Sequence, residues 1–157
     1  MIETININKD VDGFINKKIV PPTIQSIIHL IKTSKIKLDN KQCAILANSP
    51  EFAEPLKKQL KKNKIITKII LEPKKNNFKK YNIIIIALGK KYWLKPEMIK
   101  KNTIIIDVGI NRDKNTKKIY GDVHPNCFKK SKYISPVPGG VGPLTVAFLF
   151  KNLIKLL

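Results

Sequence analysis

Thr103-Ile104-Ile105-Ile106-Asp107-Val108 is the stretch that decides the fold. Its β-branched residues run consecutively, with no polar alternation that would leave one face in water. It therefore reads as a strand buried on both faces. Working outward, residues 82–87 repeat the pattern around Ile83-Ile84-Ile85-Ile86, residues 65–71 give a third candidate, and Cys43-Ala44-Ile45-Leu46 a fourth. Between them lie helical periods. Ile24, Ile27, Ile28 and Ile31 follow Pro21-Pro22-Thr23, and Phe52, Ala53, Leu56 and Leu60 predict a basic-faced helix. Its start is expected near Pro55, because proline is tolerated in a first turn and disruptive later. A short helix is expected over residues 96–101, and a turn at residues 113–116 leads to a short strand at 118–120. Residues 144–157 carry Val146, Ala147, Leu149, Phe150, Leu153, Ile154 and Leu157, a broad apolar stripe expected to dock on the core. Apolar strands separated by helices indicate an α/β domain: a doubly wound, mostly parallel, Rossmann-like sheet with helices on both faces.

The chain has 157 residues, one domain's worth, and a formal charge of +20 from 31 basic and 11 acidic residues. Clustered bases would suggest nucleic acid. Here 30 of the bases are Lys, Arg112 is the single Arg, and nine Lys-Lys pairs are scattered along the chain. Arginine supplies the bidentate contacts of specific recognition, so its scarcity argues against a specific nucleic-acid partner. A joint excess of Lys, Ile (27) and Asn (14) is what a coding bias toward A and T produces. Cys43 and Cys127 form no CxxC, and His29 and His124 are the only imidazoles, so no zinc spacing exists. Two thiols without a signal peptide fit a reducing cytoplasm. No apolar stretch approaches the ~20 residues that span a bilayer, and a soluble protein with no membrane partner is expected.

Doubly wound sheets bind ligands at the carboxyl ends of their strands, and three loops qualify. Residues 46–55 connect the first strand to its helix, where a dinucleotide pyrophosphate would sit. Glycine is wanted there for close backbone approach, yet none occurs between Gly13 and Gly89, and Glu51 and Glu54 add negative charge. Taken alone, this loop reads as an ordinary helix start with Ser49 as N-cap. Gly89-Lys90 ends the third strand and reads equally as a phosphate contact or a plain turn. Residues 136–143 are different: three Gly and three Pro in eight positions, just before a helix, favour a ligand-contacting loop.

Lys9-Asp10-Val11-Asp12-Gly13-Phe14, Asp107-Val108-Gly109-Ile110-Asn111-Arg112, Gly121-Asp122-Val123 and Pro136-Val137-Pro138-Gly139-Gly140-Val141-Gly142-Pro143 occur in that order. Together they closely resemble the methylenetetrahydrofolate dehydrogenase/methenyltetrahydrofolate cyclohydrolase family, over essentially the whole chain. The resemblance implies NADP-dependent oxidation of 5,10-methylenetetrahydrofolate, then hydrolysis of the methenyl product to 10-formyltetrahydrofolate. It implies a folate substrate lying between an N-terminal domain and the Rossmann domain, and a homodimer formed through the latter. It makes Asp12 the acid that anchors the pterin ring, a role suited to a carboxylate that accepts two parallel hydrogen bonds. Gly139 and Gly140 become the loop lining folate and nicotinamide, and Thr23, Ala47, Asn48, Ser49, Ile110 and Thr145 cofactor contacts.

Departures from the family pattern carry equal weight. The N-terminal domain with its catalytic Tyr and Lys motif has no counterpart, so the resemblance assigns no catalytic residue to this chain and implies a separate N-terminal half. Residues 1–20 read as a remnant of the inter-domain, folate-binding segment and residues 21–157 as the NAD(P)-binding domain. The family's Pro-Cys-Thr-Pro motif has become Pro21-Pro22-Thr23-Ile24, and its glycines have become Ala47 and Ala53. Alanine is tolerable there only where φ is negative. Glu72 stands where an NADP enzyme offers polar or basic groups; an acid suits the ribose 2′-hydroxyl of NAD, although Lys74 and Lys75 would offset it. Besides the cofactor-binding half of a folate enzyme, two classes stay open: a degenerate Rossmann domain acting as a non-catalytic binding module, and a basic nucleic-acid-binding protein.

Overall fold

The pleat of the sheet divides the isoleucine runs between two cores. Successive side chains of a strand point to opposite faces. Ile83 and Ile85 therefore enter one layer and Ile84 and Ile86 the other, all four fully buried. Ile104 and Ile106 join the first layer and Ile105 the second, which is why these strands show no polar alternation.

A computed structural model describes Thr4 and residues 6–35, 40–74 and 76–157. In chain order the elements are α1 (Pro22–Thr33), β1 (Gln42–Ala47), α2 (Pro50–Lys62), β2 (Ile66–Leu71), β3 (Ile83–Ala87), β4 (Thr103–Asp107), β5 (Asn111–Arg112), β6 (Ile119–Tyr120), β7 (Ser131–Ile134) and α3 (Val141–Leu156). Five strands form one sheet in the order β2-β1-β3-β4-β7, every neighbouring pair parallel. β5 and β6 make a separate antiparallel ribbon. The fold is the expected Rossmann-like α/β sheet, covered unequally. The first layer is built with α1 and α2. The second is built from connecting segments, including Phe78, Trp93 and Leu94, and two 3-10 turns, Pro96–Met98 and Pro125–Lys129.

Three local expectations are corrected. α2 begins at Pro50, not near Pro55, with Ser49 as an extended N-cap. Pro55 lies inside the helix, which continues because Ala53, Leu56 and Leu60 are anchored in the core on either side of the lost N–H bond. The expected helix at residues 96–101 is a single 3-10 turn ending at Met98; Ile99 leaves it extended and is fully buried.

The third correction concerns the last helix, which starts earlier, at Val141. Its inward side is formed by Val141, Leu144, Thr145, Phe148 and Asn152, at helical spacing. This side packs on α1, where the Phe148 and His29 rings lie 5.9 Å apart. The helix is apolar nearly all round, so only part of its stripe finds a partner. Val146 (54% exposed), Phe150 (60%), Leu153 (43%) and Ile154 (72%) face outward. None of the helices among the described residues is long and apolar enough to cross a membrane.

Candidate functional site

The loop leaving β4 and the stretch between β7 and α3 frame a cleft of about 410 Å³ at the carboxyl edge of the sheet. One wall is Asp107, Val108, Gly109 and Ile110, just past β4, with Ile119 from β6. The opposite wall is the proline- and glycine-rich stretch 136–143 leading into α3, and Thr23 and Thr145 close the side. The loop has a cis Val137–Pro138 bond. Gly139 adopts φ +107°, a conformation side chains rarely accept, and a Cβ on Gly140 would lie 2.5 Å from the Pro136 carbonyl oxygen. A side chain is therefore excluded at Gly139 and at Gly140, both in the lining of the cleft.

Of the residues named from the sequence, Thr23, Ile110, Gly139, Gly140 and Thr145 line this one cleft. Ile110 is exposed, as an apolar wall open to a ligand would be. The Thr145 hydroxyl donates to the Val141 carbonyl and lies 3.3 Å from the Ser26 hydroxyl, which fixes the side chain between α1 and α3. Ala47, Asn48 and Ser49 end β1 and open α2 beside the cleft, outside its lining. Ala47 and Ala53 both lie outside the positive-φ region, so the missing glycines leave no backbone strain. The Ser49 side chain makes no capping bond, which leaves the first N–H groups of α2 without a side-chain cap among the described residues. Asn48 donates to the Leu88 carbonyl at 2.8 Å, tying the exit of β1 to that of β3.

Asp12 is placed elsewhere. It is exposed, on the segment that runs beside the C-terminal half of α3, where Val11 accepts from Asn152. Its neighbour Asp10 is the buried acid, accepting the N–H groups of Phe14 (3.1 Å), Ile15 (2.7 Å) and Asn16 (2.7 Å). Burial opposes its charge, but these N–H groups and that of Gly13 outweigh it and hold the carboxyl below the usual value. Glu72 sits just past β2 with φ +44°, exposed, its N–H bonded to the Ala47 carbonyl. Lys74 is exposed; Lys75 lies outside the described residues.

Two buried acids stand beneath the cleft. Asp107 is pushed up to about 6, chiefly by burial and also by the Asp122 charge, against the N–H groups of Asp122, Val123 and Gly109. Asp122 is fully buried. Their motifs are plain in the sequence, but nothing local shows that residues 107 and 122 meet. Asp10 and Asn152 escaped sequence reasoning for the same reason. Both cysteines are buried; burial raises the Cys43 thiol and lifts that of Cys127 to about 11, so neither is a ready nucleophile. Among the described residues no group of three or more His, Cys, Asp or Glu can hold a metal ion. The scattered lysines do meet at one place, a hollow lined by Lys41, Lys100, Lys101 and Lys132, at the amino edge of the sheet, opposite the cleft.

Comparison with known proteins agrees with this fold. Residues 21–157 match the family described as tetrahydrofolate dehydrogenase/cyclohydrolase, NAD(P)-binding domain. The bifunctional protein FolD of Mycoplasma capricolum is 40% identical over 170 aligned positions, which take in 99% of this chain and 60% of that protein. The crystal structure of the bifunctional FolD methylenetetrahydrofolate dehydrogenase/cyclohydrolase from Campylobacter jejuni superposes with a TM-score of 0.89 at 34% identity, over 99% of this chain and 60% of that one. The Trypanosoma brucei enzyme, complexed with NADP cofactor and inhibitor, shares the fold at 24% identity, with a TM-score of 0.89 over the same shares of the two chains. The chain thus spans about 60% of the length of the relatives it matches. On sequence and fold alike, the chain belongs to the tetrahydrofolate dehydrogenase/cyclohydrolase family, and what it carries is that family's NAD(P)-binding domain.

Proposed function

We propose that this chain is the cofactor-binding half of a bifunctional folate enzyme. It would bind NADP at the carboxyl edge of the sheet and oxidise 5,10-methylenetetrahydrofolate together with an N-terminal half of the kind its relatives carry. The observation that carries the reading is the cleft between Val108-Gly109-Ile110 and the 136–143 loop, apolar and open at the strand ends. The cofactor fits the residues present: uncapped N–H groups at the start of α2 suit a pyrophosphate, and side-chain-free backbone at Gly139 and Gly140 suits a flat ring. When bound, the nicotinamide supplies hydride acceptance. Thr23, Ala47, Asn48, Ser49, Ile110 and Thr145 would orient it, while Gly139 and Gly140 line its contact with folate.

Asp12 would accept the paired N–H donors of the pterin, since its exposed carboxylate forms no hydrogen bond within the described residues. Residues 1–20 then serve as the folate-side segment and residues 21–157 as the cofactor domain. The acid/base lysine of cyclohydrolysis would come from the N-terminal half. Its seat is the outward face of α3, where Val146, Phe150, Leu153 and Ile154 form an apolar strip on a helix that already packs on α1. Glu72 bears on cofactor choice: a carboxylate at the end of β2 accepts from a ribose 2′-hydroxyl and repels a 2′-phosphate, so NAD competes with NADP.

Fluorescence titration of the purified chain with NADPH and NADH tests the reading. Saturable binding of either supports it. Binding of neither removes the cofactor role and leaves a non-catalytic domain. Methenyl-substrate turnover is expected only after an N-terminal half is added; turnover by the isolated chain would overturn the division of labour.

A further inference from the structure

Two loops at the carboxyl edge of the sheet converge on one side chain, and a third is tied to them. Asp122 Oδ2 accepts the N–H groups of Leu88 (2.6 Å) and Gly89 (3.0 Å), and Oδ1 accepts those of Lys90 (2.7 Å) and the Asn111 side-chain amide (2.9 Å). Residues 88–90 are the exit from β3, and Asn111 begins β5 at the end of the cleft wall 108–110. The β1 exit is tied in through the other side of the same peptide group, since the Leu88 carbonyl accepts from Asn48.

Asp107 completes the arrangement from below. Its Oδ1 accepts the N–H groups of Gly109 and Asp122, both at 3.0 Å, and its Oδ2 that of Val123 at 2.9 Å. Each carboxylate occupies the space beside the other's glycine. A Cβ on Gly109 would lie 2.1–2.4 Å from the Asp122 carboxyl group, and one on Gly121 would lie 1.9 Å from Asp107 Oδ2. The two acids thus stay apart by backbone geometry, each charge surrounded by N–H donors. A single turn would need no such construction. Four hydrogen bonds to one fully buried carboxylate fix the spacing of these loops.

We infer that Asp122 is a positioning residue of the dinucleotide cleft, holding the 108–110 wall and the 88–90 loop at the distance that lets one cofactor touch both that wall and the β1–α2 loop. This rests on the reading of the cleft as the cofactor site. Asp122 does not line the cleft, so it acts through the loops it ties. The adenine half of a dinucleotide would meet only the β1–α2 loop and the end of β2, whereas the whole molecule must also reach the 108–110 wall. Mispositioning therefore weakens the whole cofactor more than its half.

The experiment compares NADPH and NADH with their adenine-side fragments, 2′,5′-ADP and ADP, on wild type, Asp122→Asn and Asn111→Ala. The asparagine in Asp122→Asn keeps the shape but replaces one acceptor oxygen by a donor, facing N–H groups that then lose their partner. Expected is a loss of about tenfold in dinucleotide affinity with fragment affinity within about twofold. Asn111→Ala removes one of the four bonds, leaves the three backbone bonds and is expected to show the same split at about threefold. If Asp122→Asn does not fold, Asn111→Ala decides by the same comparison. Unchanged dinucleotide affinity, or an equal loss for dinucleotide and fragment, overturns the inference while leaving the cofactor reading intact. No dinucleotide binding by wild type overturns both.

Discussion

Gln25 on α1 donates its side-chain amide to the Asn152 oxygen on α3 at 2.9 Å, and Asn152 in turn donates to the Val11 and Val20 carbonyls. Gln25 also donates to Val20. Asn152 is the buried polar residue of a mostly apolar helix, and it pins the Asp12-bearing segment to the domain.

Asn152→Leu is therefore expected to destabilise the chain, although it extends the apolar pattern. The Val11 carbonyl loses its partner, and the Val20 carbonyl and the Gln25 amide, which keep each other, lose one bond each, at a cost of about 1–3 kcal/mol. Urea unfolding measures it, and an unchanged midpoint would show that water replaces the amide.

The glycines beneath the cleft separate sharply. Gly121→Ala drives a Cβ into the Asp107 carboxylate and is expected to cost about 1–3 kcal/mol. Gly142→Ala meets nothing within 4 Å and lies in α3, so it is expected to be neutral or to stabilise by up to about 1 kcal/mol. Thermal melts of both variants check the contrast; equal losses would contradict it.

The pH dependence follows from two acids of opposite sign. Asp107, raised from 3.8 to about 6, binds more protons folded than unfolded between those values. Its contribution to stability is fully present below its unfolded value and is lost as pH rises through about 6. Asp10, held low, contributes above its unfolded value of 3.8 and loses that contribution as pH falls through its lowered one. Between pH 5 and 7 only Asp107 titrates of these two. The wild type is expected to lose about 1 kcal/mol over that interval relative to Asp107→Asn. Parallel denaturation curves at the two pH values test it, and a constant difference between the proteins would contradict the assignment.

Glu72→Gln is expected to raise affinity for NADPH several-fold and to leave that for NADH within about twofold, because it removes a charge facing the 2′-phosphate. Titration of both cofactors reads it. A parallel change in both would mean that Glu72 does not face the ribose.

On the outward face of α3, Phe150→Lys and Ile154→Lys are each expected to change the stability of the isolated chain by less than about 0.5 kcal/mol, against about 3–5 kcal/mol for truncating a core aromatic residue. Unfolding at low protein concentration measures this. A loss near the core value would show that the face is already packed.

The sheet is legible in the residues alone. Ile83–Ile86 and Ile104–Ile106 leave no polar position for a solvent-facing side, so their strands had to be interior and parallel, and the 136–143 motif marked a loop that lines the cleft. The sequence also carried the family. Tertiary structure decided what depends on residues distant in the chain. The apolar stripe of α3 reads as uniform from 144 to 157, yet only the side turned to α1 is covered, since periodicity reports amphipathicity and not how many neighbours arrive. Pro55 reads as a helix start until Ala53 and Leu56 are seen anchored on both sides of it. Asp107 and Asp122 read as two ordinary acids in two motifs. Only the return of the chain at Gly121 places each carboxylate against the other's backbone, where burial and opposing N–H groups give it its role.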